Sequence, residues 1–459
     1  LSDEFGNKCG YHDPAISPPH LVPDMLDDIE VFDIKARSVR PVWITVSIPA
    51  DTPAGEYAST VKVYAKGRQL RTFDIGLTVI GRELPPPAEW NYYLDLWQHP
   101  AAVARVEGLD LWSDAHFEAL VPYMRLLADA GQKVVTTTLN KDPWNNQCFD
   151  AYADMIVWTK NADGSWSYDY TVFDRWVELM TGLGIDRTIN CYSMLPWNNE
   201  LHYRDGSTGR FVDVTADPGT PAFEALWEPF LTDFTGHLRE KGWLERTNIA
   251  MDERSPEEMT DALGLLRKTA PELGIAMADN KNSYLNYPFI NSMCVKVRDR
   301  VPPQHIAERR AQGFITTYYV CCSDRFPNMF TFSAPAEAVY AGWYMAACGY
   351  DGFLRWAYNS WVGEPLTDSR FRTFPAGDTY IIYPGARSSV RFERLVEGIQ
   401  DAEKISILKK EFAAKGTPEA ASRLERLETL LSGFATITPE KGWPDRLSRA
   451  KRKLNELSR

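Results

Sequence analysis

No run of about 18 apolar residues occurs anywhere in the 459-residue chain, so no segment is expected to span a membrane. Basic residues are in deficit: 50 Lys and Arg against 62 Asp and Glu leave a net charge of −12. No basic stripe offsets that charge, so a phosphate backbone would be repelled and a nucleic-acid partner is excluded. Histidine is scarce, at 7 residues, and no two lie at the helical spacing of a metal pair. No glycine-rich loop follows a strand either, so neither a metal nor a nucleotide cofactor is expected. The seven cysteines (Cys9, Cys148, Cys191, Cys294, Cys321, Cys322 and Cys348) lack metal-ligand spacing. The adjacent Cys321-Cys322 reads as a pair of buried free thiols in a strand. The chain starts at Leu1 with neither Met nor a signal peptide, as expected of a trimmed or processed form.

Aromatic residues, by contrast, are plentiful. They make up 12% of the chain, including 15 Trp and 21 Tyr. Sugar rings present flat CH faces, and a tryptophan-rich cleft is a physical match for them. A large aromatic core would give the same count, so position has to decide.

At this length two or three domains are expected. Alternation marks three strands near the start: Val42 to Ile48, Ser59 to Tyr64 and Phe73 to Val79. They form a small antiparallel β-sandwich-like unit, short of a full sandwich, which ends at Pro85-Pro86-Pro87. The rhythm then becomes strand, helix, strand, helix. Strands are expected at Asn91–Trp97, Lys133–Thr138, Arg187–Ser193, Thr247–Asp252, Ile275–Ala278, Ser292–Val295, Phe314–Val320 and Gly352–Trp356. A hairpin from Met155 to Tyr168 interrupts them. From Val390 the chain is helical and charged. The fold class is therefore α/β, a (β/α)8 TIM-type barrel preceded by the β unit and followed by a C-terminal helical segment. The boundaries fall at 1–86, 87–385 and 386–459.

Asp252-Glu253 ends an apolar strand, and Ser255-Pro256-Glu257-Glu258 starts a helix after it. Barrel enzymes keep their chemistry at that end of a strand, and two acids whose environments differ can take different roles. The other strand ends deliver Trp97, Asn140, Trp144, Asn198, Tyr318, Tyr319, Arg355, Trp356, Asn359 and Trp361 to the same rim. Aromatic platforms beside amides suit a sugar ring and its hydroxyls.

Tyr93–Pro100, Asp252-Glu253, Tyr318–Asn328, Gly352–Trp361, Gly377–Pro384 and Arg391–Asp401 together resemble glycoside hydrolase family 123, over residues from about 40 to about 405. The resemblance implies a retaining, exo-acting β-N-acetylgalactosaminidase that works by substrate-assisted catalysis. Its substrate would be an oligosaccharide or glycoconjugate ending in a β-linked N-acetylhexosamine, with no cofactor and a secreted or periplasmic location. Glu253 would be the general acid and base, and Asp252 would orient the 2-acetamido group. Tyr319, or else Tyr318, would hold the acetamido oxygen. Trp356 and Trp361 would wall the acetyl pocket, and Asn359 or Asn198 would bind hydroxyls. Arg254, directly after the acidic pair, departs from the expected pattern. Three alternatives stay open: an N-acetylglucosaminidase of the same mechanism, a hydrolase whose nucleophile is Asp279 or Asp95, and a non-catalytic glycan binder.

Overall fold

The computed structural model describes residues 1, 2, 9, 19–372 and 374–459. Strands β1 (Gly55–Ala65) and β2 (Arg68–Val79) form an antiparallel hairpin. Lys66 and Gly67 turn it with φ of 50° and 73°, the left-handed geometry that matches strand twist in a two-residue turn. The third strand expected here, Val42 to Ile48, joins no ladder among the described residues. Val42, Ile44, Val46 and Ile48 are exposed. Alternation makes a strand possible, but a strand also needs an edge to pair with.

The barrel follows. Its first elements are β3 (Tyr93–Leu96), α1 (Pro100–Glu107), α2 (Asp114–Asp129) and β4 (Val134–Thr138). After the hairpin β5 (Val157–Lys160) and β6 (Trp166–Asp169) come α3 (Thr171–Gly182) and β7 (Thr188–Tyr192). A second hairpin, β8 (Glu200–Asp205) and β9 (Phe211–Thr215), precedes α4 (Pro221–Lys241) and β10 (Thr247–Asp252). The remainder is α5 (Pro256–Thr269), β11 (Gly274–Asp279), β12 (Ser292–Lys296), α6 (Pro303–Ala311), β13 (Ile315–Tyr319), α7 (Ala336–Cys348) and β14 (Gly352–Arg355). All eight expected strands join one parallel sheet in the order β3-β14-β13-β12-β11-β10-β7-β4. The two inserted hairpins merge into a separate sheet, β6-β5-β8-β9. The second hairpin was not expected, because Leu201 and Tyr203 are the only apolar residues between Glu200 and Asp205, too short an alternation to mark a strand.

Closure between β3 and β4 is made largely by side chains. Lys133 N–H donates to the Leu94 carbonyl at 3.0 Å. Beyond that point Gln132 does the pairing: its Oε1 accepts from Leu96 N–H at 3.0 Å, and its Nε2 donates to the carbonyls of Leu96 (3.2 Å) and Val134 (2.7 Å). Gln98 accepts from Thr136 N–H at 2.8 Å and donates to the Leu96 carbonyl. Two buried amides thus substitute for a ladder, because unpaired backbone groups inside a barrel wall are costly.

Helices α8 (Val390–Lys415), α9 (Pro418–Ser432) and α10 (Trp443–Leu457) complete the chain. Helix α8 lies so close to α7 that a Cβ on Gly342 would sit 2.1 Å from the Gly398 carbonyl oxygen. Trp343 and Lys451 both donate to Asp401, at 2.9 and 2.6 Å, tying α7, α8 and α10 together. Near the chain start, Asp24 accepts from buried Arg391 (2.9 Å) and Tyr383 (2.7 Å). The expected free thiol pair is corrected: Cys322 is bonded to Cys9, with Cα atoms 5.3 Å apart, and only Cys321 of the pair is free. A partner 313 positions away is invisible to local spacing. Among the described residues, no helix is long and apolar enough to cross a membrane.

Replacing Gln132 by Ala should lower stability by about 2–4 kcal/mol, because it strands buried backbone groups of Leu96 and Val134. Urea unfolding checks this: the midpoint should fall at an unchanged slope. The exposed Gln312→Ala control should stay within about 0.5 kcal/mol.

Candidate active site

Strand β10 delivers the acidic pair. Its inward positions follow from the Asn248–Asn190 side-chain bond (3.0 Å) across to β7, so Asn248, Ala250 and Asp252 face the barrel interior. Glu253 then adopts φ of 50°, left-handed and uncommon for a residue with a Cβ. Its N–H is held by the Ala278 carbonyl of β11 at 2.9 Å. That backbone reversal points adjacent side chains in different directions. Such strain persists where the surroundings over-determine it, often at functional sites.

Asp252 is half-buried, and its Oδ2 accepts from the Trp144 indole N–H at 2.9 Å. Burial holds its carboxyl well above the usual carboxylate range, and the charge of Glu253 pushes it further the same way. Glu253 Oε1 accepts from the Tyr319 hydroxyl of β13. Burial and then the charge of Glu253 raise the Tyr319 phenol, which therefore stays a donor. Tyr319 was expected to hold an acetamido oxygen; its partner here is Glu253.

Trp144 is aimed by other aromatic rings. It stacks on Trp97 (centroids 4.7 Å apart, 27° between planes), with Tyr192 at 5.0 Å and Tyr152 edge-on at 4.5 Å. Both indoles are 1% exposed. These two tryptophans, expected as sugar platforms, back the acidic pair from within the fold. Asp142 and the left-handed Asn145 and Asn146 shape the loop that carries Trp144: Asp142 accepts from Trp144 N–H (2.9 Å) and Asn146 N–H (3.1 Å).

Several other expected contacts are spent inside the fold. Tyr318 faces α7, donating to the Ala341 carbonyl at 2.8 Å. Alternation puts it on the opposite face from Tyr319. Trp361 is fully buried and donates to the Ile382 carbonyl at 2.8 Å. Asn359 brackets the His99 backbone, accepting at 2.9 Å and donating at 3.0 Å. Asn140 does the same for His202, at 2.9 and 3.0 Å. Arg355 is buried against Asp378 at 3.1 Å, and burial pulls its guanidinium down to about 10. These five side chains, expected as sugar contacts, are buried and make their hydrogen bonds within the protein. Trp356 keeps 9% exposure, packs on Phe374 at 4.8 Å and stays a candidate wall. Asn198 is half-buried on the rim. Arg254 turns out to be structural: it donates to Asn199 at 3.2 Å and pairs with Glu258, which also completes a capping box with Ser255.

Two more acids lie nearby. Asp279 accepts from Ser283 N–H, Ser283 Oγ (3.0 Å) and Lys281 N–H (3.1 Å). Asp95, inward on β3, has an oxygen with no protein partner among the described residues, and burial lifts its pKa to about 7. Trp197, on the same rim but not among the expected sugar contacts, joins the pair: its indole donates to the Asp252 carbonyl at 3.2 Å. Its signal was a tryptophan in a Pro-Trp-Asn-Asn turn after a barrel strand.

Paired acids backed by aromatic rings at the C-terminal mouth of a (β/α)8 barrel have the layout of a glycoside hydrolase. Comparison with known proteins supports that class. Residues 97–408 match the family model for the glycoside hydrolase 123 catalytic domain, and residues 1–65 match the glycoside hydrolase 123 N-terminal domain. The chain belongs to glycoside hydrolase family 123. A solved family 123 glycoside hydrolase from Clostridium perfringens, described in terms of glycolipid glycan hydrolysis, is 29% identical with a TM-score of 0.80. The alignment covers 89% of this chain and 76% of that one. SrfJ from Salmonella typhimurium aligns at 11% identity and a TM-score of 0.38, over 76% of this chain and 84% of that one. A maltogenic α-amylase, AmyB from Thermotoga neapolitana, aligns at 10% and 0.38, over 68% and 77%. Neither of these two likenesses carries weight. None of the curated proteins matches the chain by sequence.

Asp95 gives a test of how dry this interior is. Its carboxyl titrates near 3.8 when unfolded and near 7 in the fold. Well below pH 4 both states hold the proton and the effect vanishes; between about pH 4 and pH 7 the unfolded carboxyl ionises while the folded one does not, so the cost to the fold grows across that window and levels off above it. That gap corresponds to on the order of 4 kcal/mol at pH 8. Asp95→Asn should therefore raise the melting temperature at pH 8, and the gain should close towards pH 4. A gain independent of pH would contradict the assignment.

Proposed function

We propose that the chain is a retaining, exo-acting β-N-acetylgalactosaminidase that works by substrate-assisted catalysis. The observation that carries this reading is the state of the rival nucleophiles. Both oxygens of Asp279 are engaged by its own loop, and Asp95 sits deeper with a pKa near 7. A nucleophile from the opposite sugar face is then best supplied by the substrate, whose 2-acetamido oxygen can close on the anomeric carbon to give an oxazoline.

Glu253 protonates the departing glycosidic oxygen and later takes a proton from water. Tyr319, donating to its carboxylate, fixes that side chain in place. Asp252 accepts the acetamido N–H. Burial and the charge of Glu253 disfavour its ionised form, which becomes favoured as positive charge develops on the closing ring. Stabilisation is thus concentrated in the transition state, where it accelerates the reaction. Trp144 holds Asp252 at the required angle. The Clostridium perfringens relative supports a glycoconjugate, such as a glycolipid glycan, as the natural substrate. A panel of chromogenic β-N-acetylgalactosaminides, β-N-acetylglucosaminides and plain β-galactosides tests the sugar. Turnover of the first with negligible hydrolysis of the plain galactosides is expected.

Glu253→Gln should abolish hydrolysis of natural glycosides but spare much of it for acidic phenol leaving groups, which depart unprotonated. The difference should be roughly 10²–10⁴-fold, the usual contribution of a general acid. Equal loss on both substrate types would remove Glu253 from that role.

Asp252→Asn should behave differently. It should lower kcat more than it raises KM, and a good leaving group should not rescue it. A thiazoline mimic of the intermediate should bind the wild type tightly and this variant poorly. Unchanged thiazoline affinity would exclude Asp252 as the acetamido partner.

A further inference from the structure

We propose that Trp197 is the stacking platform for the first sugar on the leaving-group side, an aglycone subsite built outside the barrel. The proposal rests on Asp252 and Glu253 being the catalytic pair. Of 15 tryptophans in the chain, Trp43 (41%) and Trp197 (39%) are the exposed ones, and Trp43 lies in the N-terminal segment. The other rim tryptophans, Trp97, Trp144, Trp356 and Trp361, are 9% exposed or less.

Trp197 is nonetheless firmly held. Its indole N–H donates to the Asp252 carbonyl at 3.2 Å, and its backbone N–H donates to the Pro143 carbonyl at 2.9 Å. The turn that carries it closes from Asn199 N–H to the Pro196 carbonyl at 3.0 Å. Asn199 in turn accepts from Arg254 (3.2 Å) and donates to Asp217 (2.8 Å). This gives the departure at Arg254 a purpose: the residue after the acids locks the platform to them.

With its one polar atom satisfied, the ring offers solvent an apolar face. Among the described residues it stacks on no aromatic or cationic side chain. Beside it, Asn198 and Asn145 bring two side-chain amides within 3.4 Å of each other. A flat CH surface next to amide donors and acceptors is what a pyranose ring and its hydroxyls fit. The sugar that reacts must reach the inward-facing Asp252. A ring anchored outside that carboxyl, on its main-chain carbonyl, meets what leaves.

The test compares ligands with and without an aglycone sugar. Trp197→Ala should lower kcat/KM about tenfold or more on a glycoside whose leaving group is a sugar. On a short alkyl glycoside, and for inhibition by the thiazoline, its effect should stay within about twofold. Trp197→Phe keeps a ring face but loses the N–H, and should retain most of the activity on the sugar-linked substrate. Equal loss on both substrates, or a Phe variant as poor as the Ala one, would overturn the platform and assign the effect to the bond with the Asp252 carbonyl. Glu253→Gln run alongside separates the two claims: if it stays fully active on the sugar-linked substrate, the catalytic pair is wrong whatever Trp197 does.

Discussion

A parallel barrel has to close, and the rest of this molecule depends on how it does so. Seven of its strand-to-strand seams are ordinary ladders, and the eighth is sewn by Gln132 and Gln98. Closure satisfies the backbone and gathers the C-terminal strand ends on one rim. The position of β10 between β7 and β11 then fixes where Asp252 points. The Ala278 carbonyl captures the next N–H and holds Glu253 in its left-handed turn. Two acids adjacent in sequence come to address different partners, Trp144 and Tyr319, for reasons that lie in the backbone.

How much of this was legible in the sequence depended on whether the signal was local. All eight barrel strands could be read, because apolar runs bounded by turn residues report burial directly. The acidic pair could be read because Ser255-Pro256 marks a helix start right behind it. The hairpin of β8 and β9 could not, since Glu200 to Asp205 pairs over the mouth with little apolar burial to advertise it. The Val42 to Ile48 stretch erred the other way: its alternation was real, but pairing requires a second strand. The Cys9–Cys322 bond and the glutamine seam join distant positions, and nothing at either end predicts the other.

The tryptophans show why composition alone misleads about a binding site. Fifteen of them suggested a sugar-lined cleft, yet at the rim the fold buries Trp97, Trp144 and Trp361. Position along the strand explains it. Trp97 lies one step beyond the end of β3 and is drawn into the ring cluster that orients Trp144, while Trp361 lies beyond β14 where the chain folds back over the barrel wall. Indoles in such places exclude water and carry a single donor, which suits them to aiming a carboxylate. Excluding water is also what raises the carboxyls of Asp252 and Asp95. The dryness that costs the fold stability at neutral pH therefore makes Asp252 responsive to a cation forming beside it.

On the proposed mechanism, the adjacency of the two acids follows from the shape of the substrate. The glycosidic oxygen is on C1 and the acetamido group on C2, so the atoms needing an acid and an N–H acceptor are themselves neighbours. A residue pair on one turn can serve both, provided the backbone separates their side chains, and the left-handed Glu253 does that. A pair that acts as acid and protein nucleophile faces a different demand, because its carboxyls must sit on opposite faces of the sugar about 5 Å apart. Barrels meet that demand by drawing the two from different strands. Here the two acids come from a single strand end, while Asp279 is held by its own loop and burial raises the Asp95 carboxyl to about 7. The geometry of β10 and the chemistry of a 2-acetamido sugar thus impose the same requirement from opposite sides.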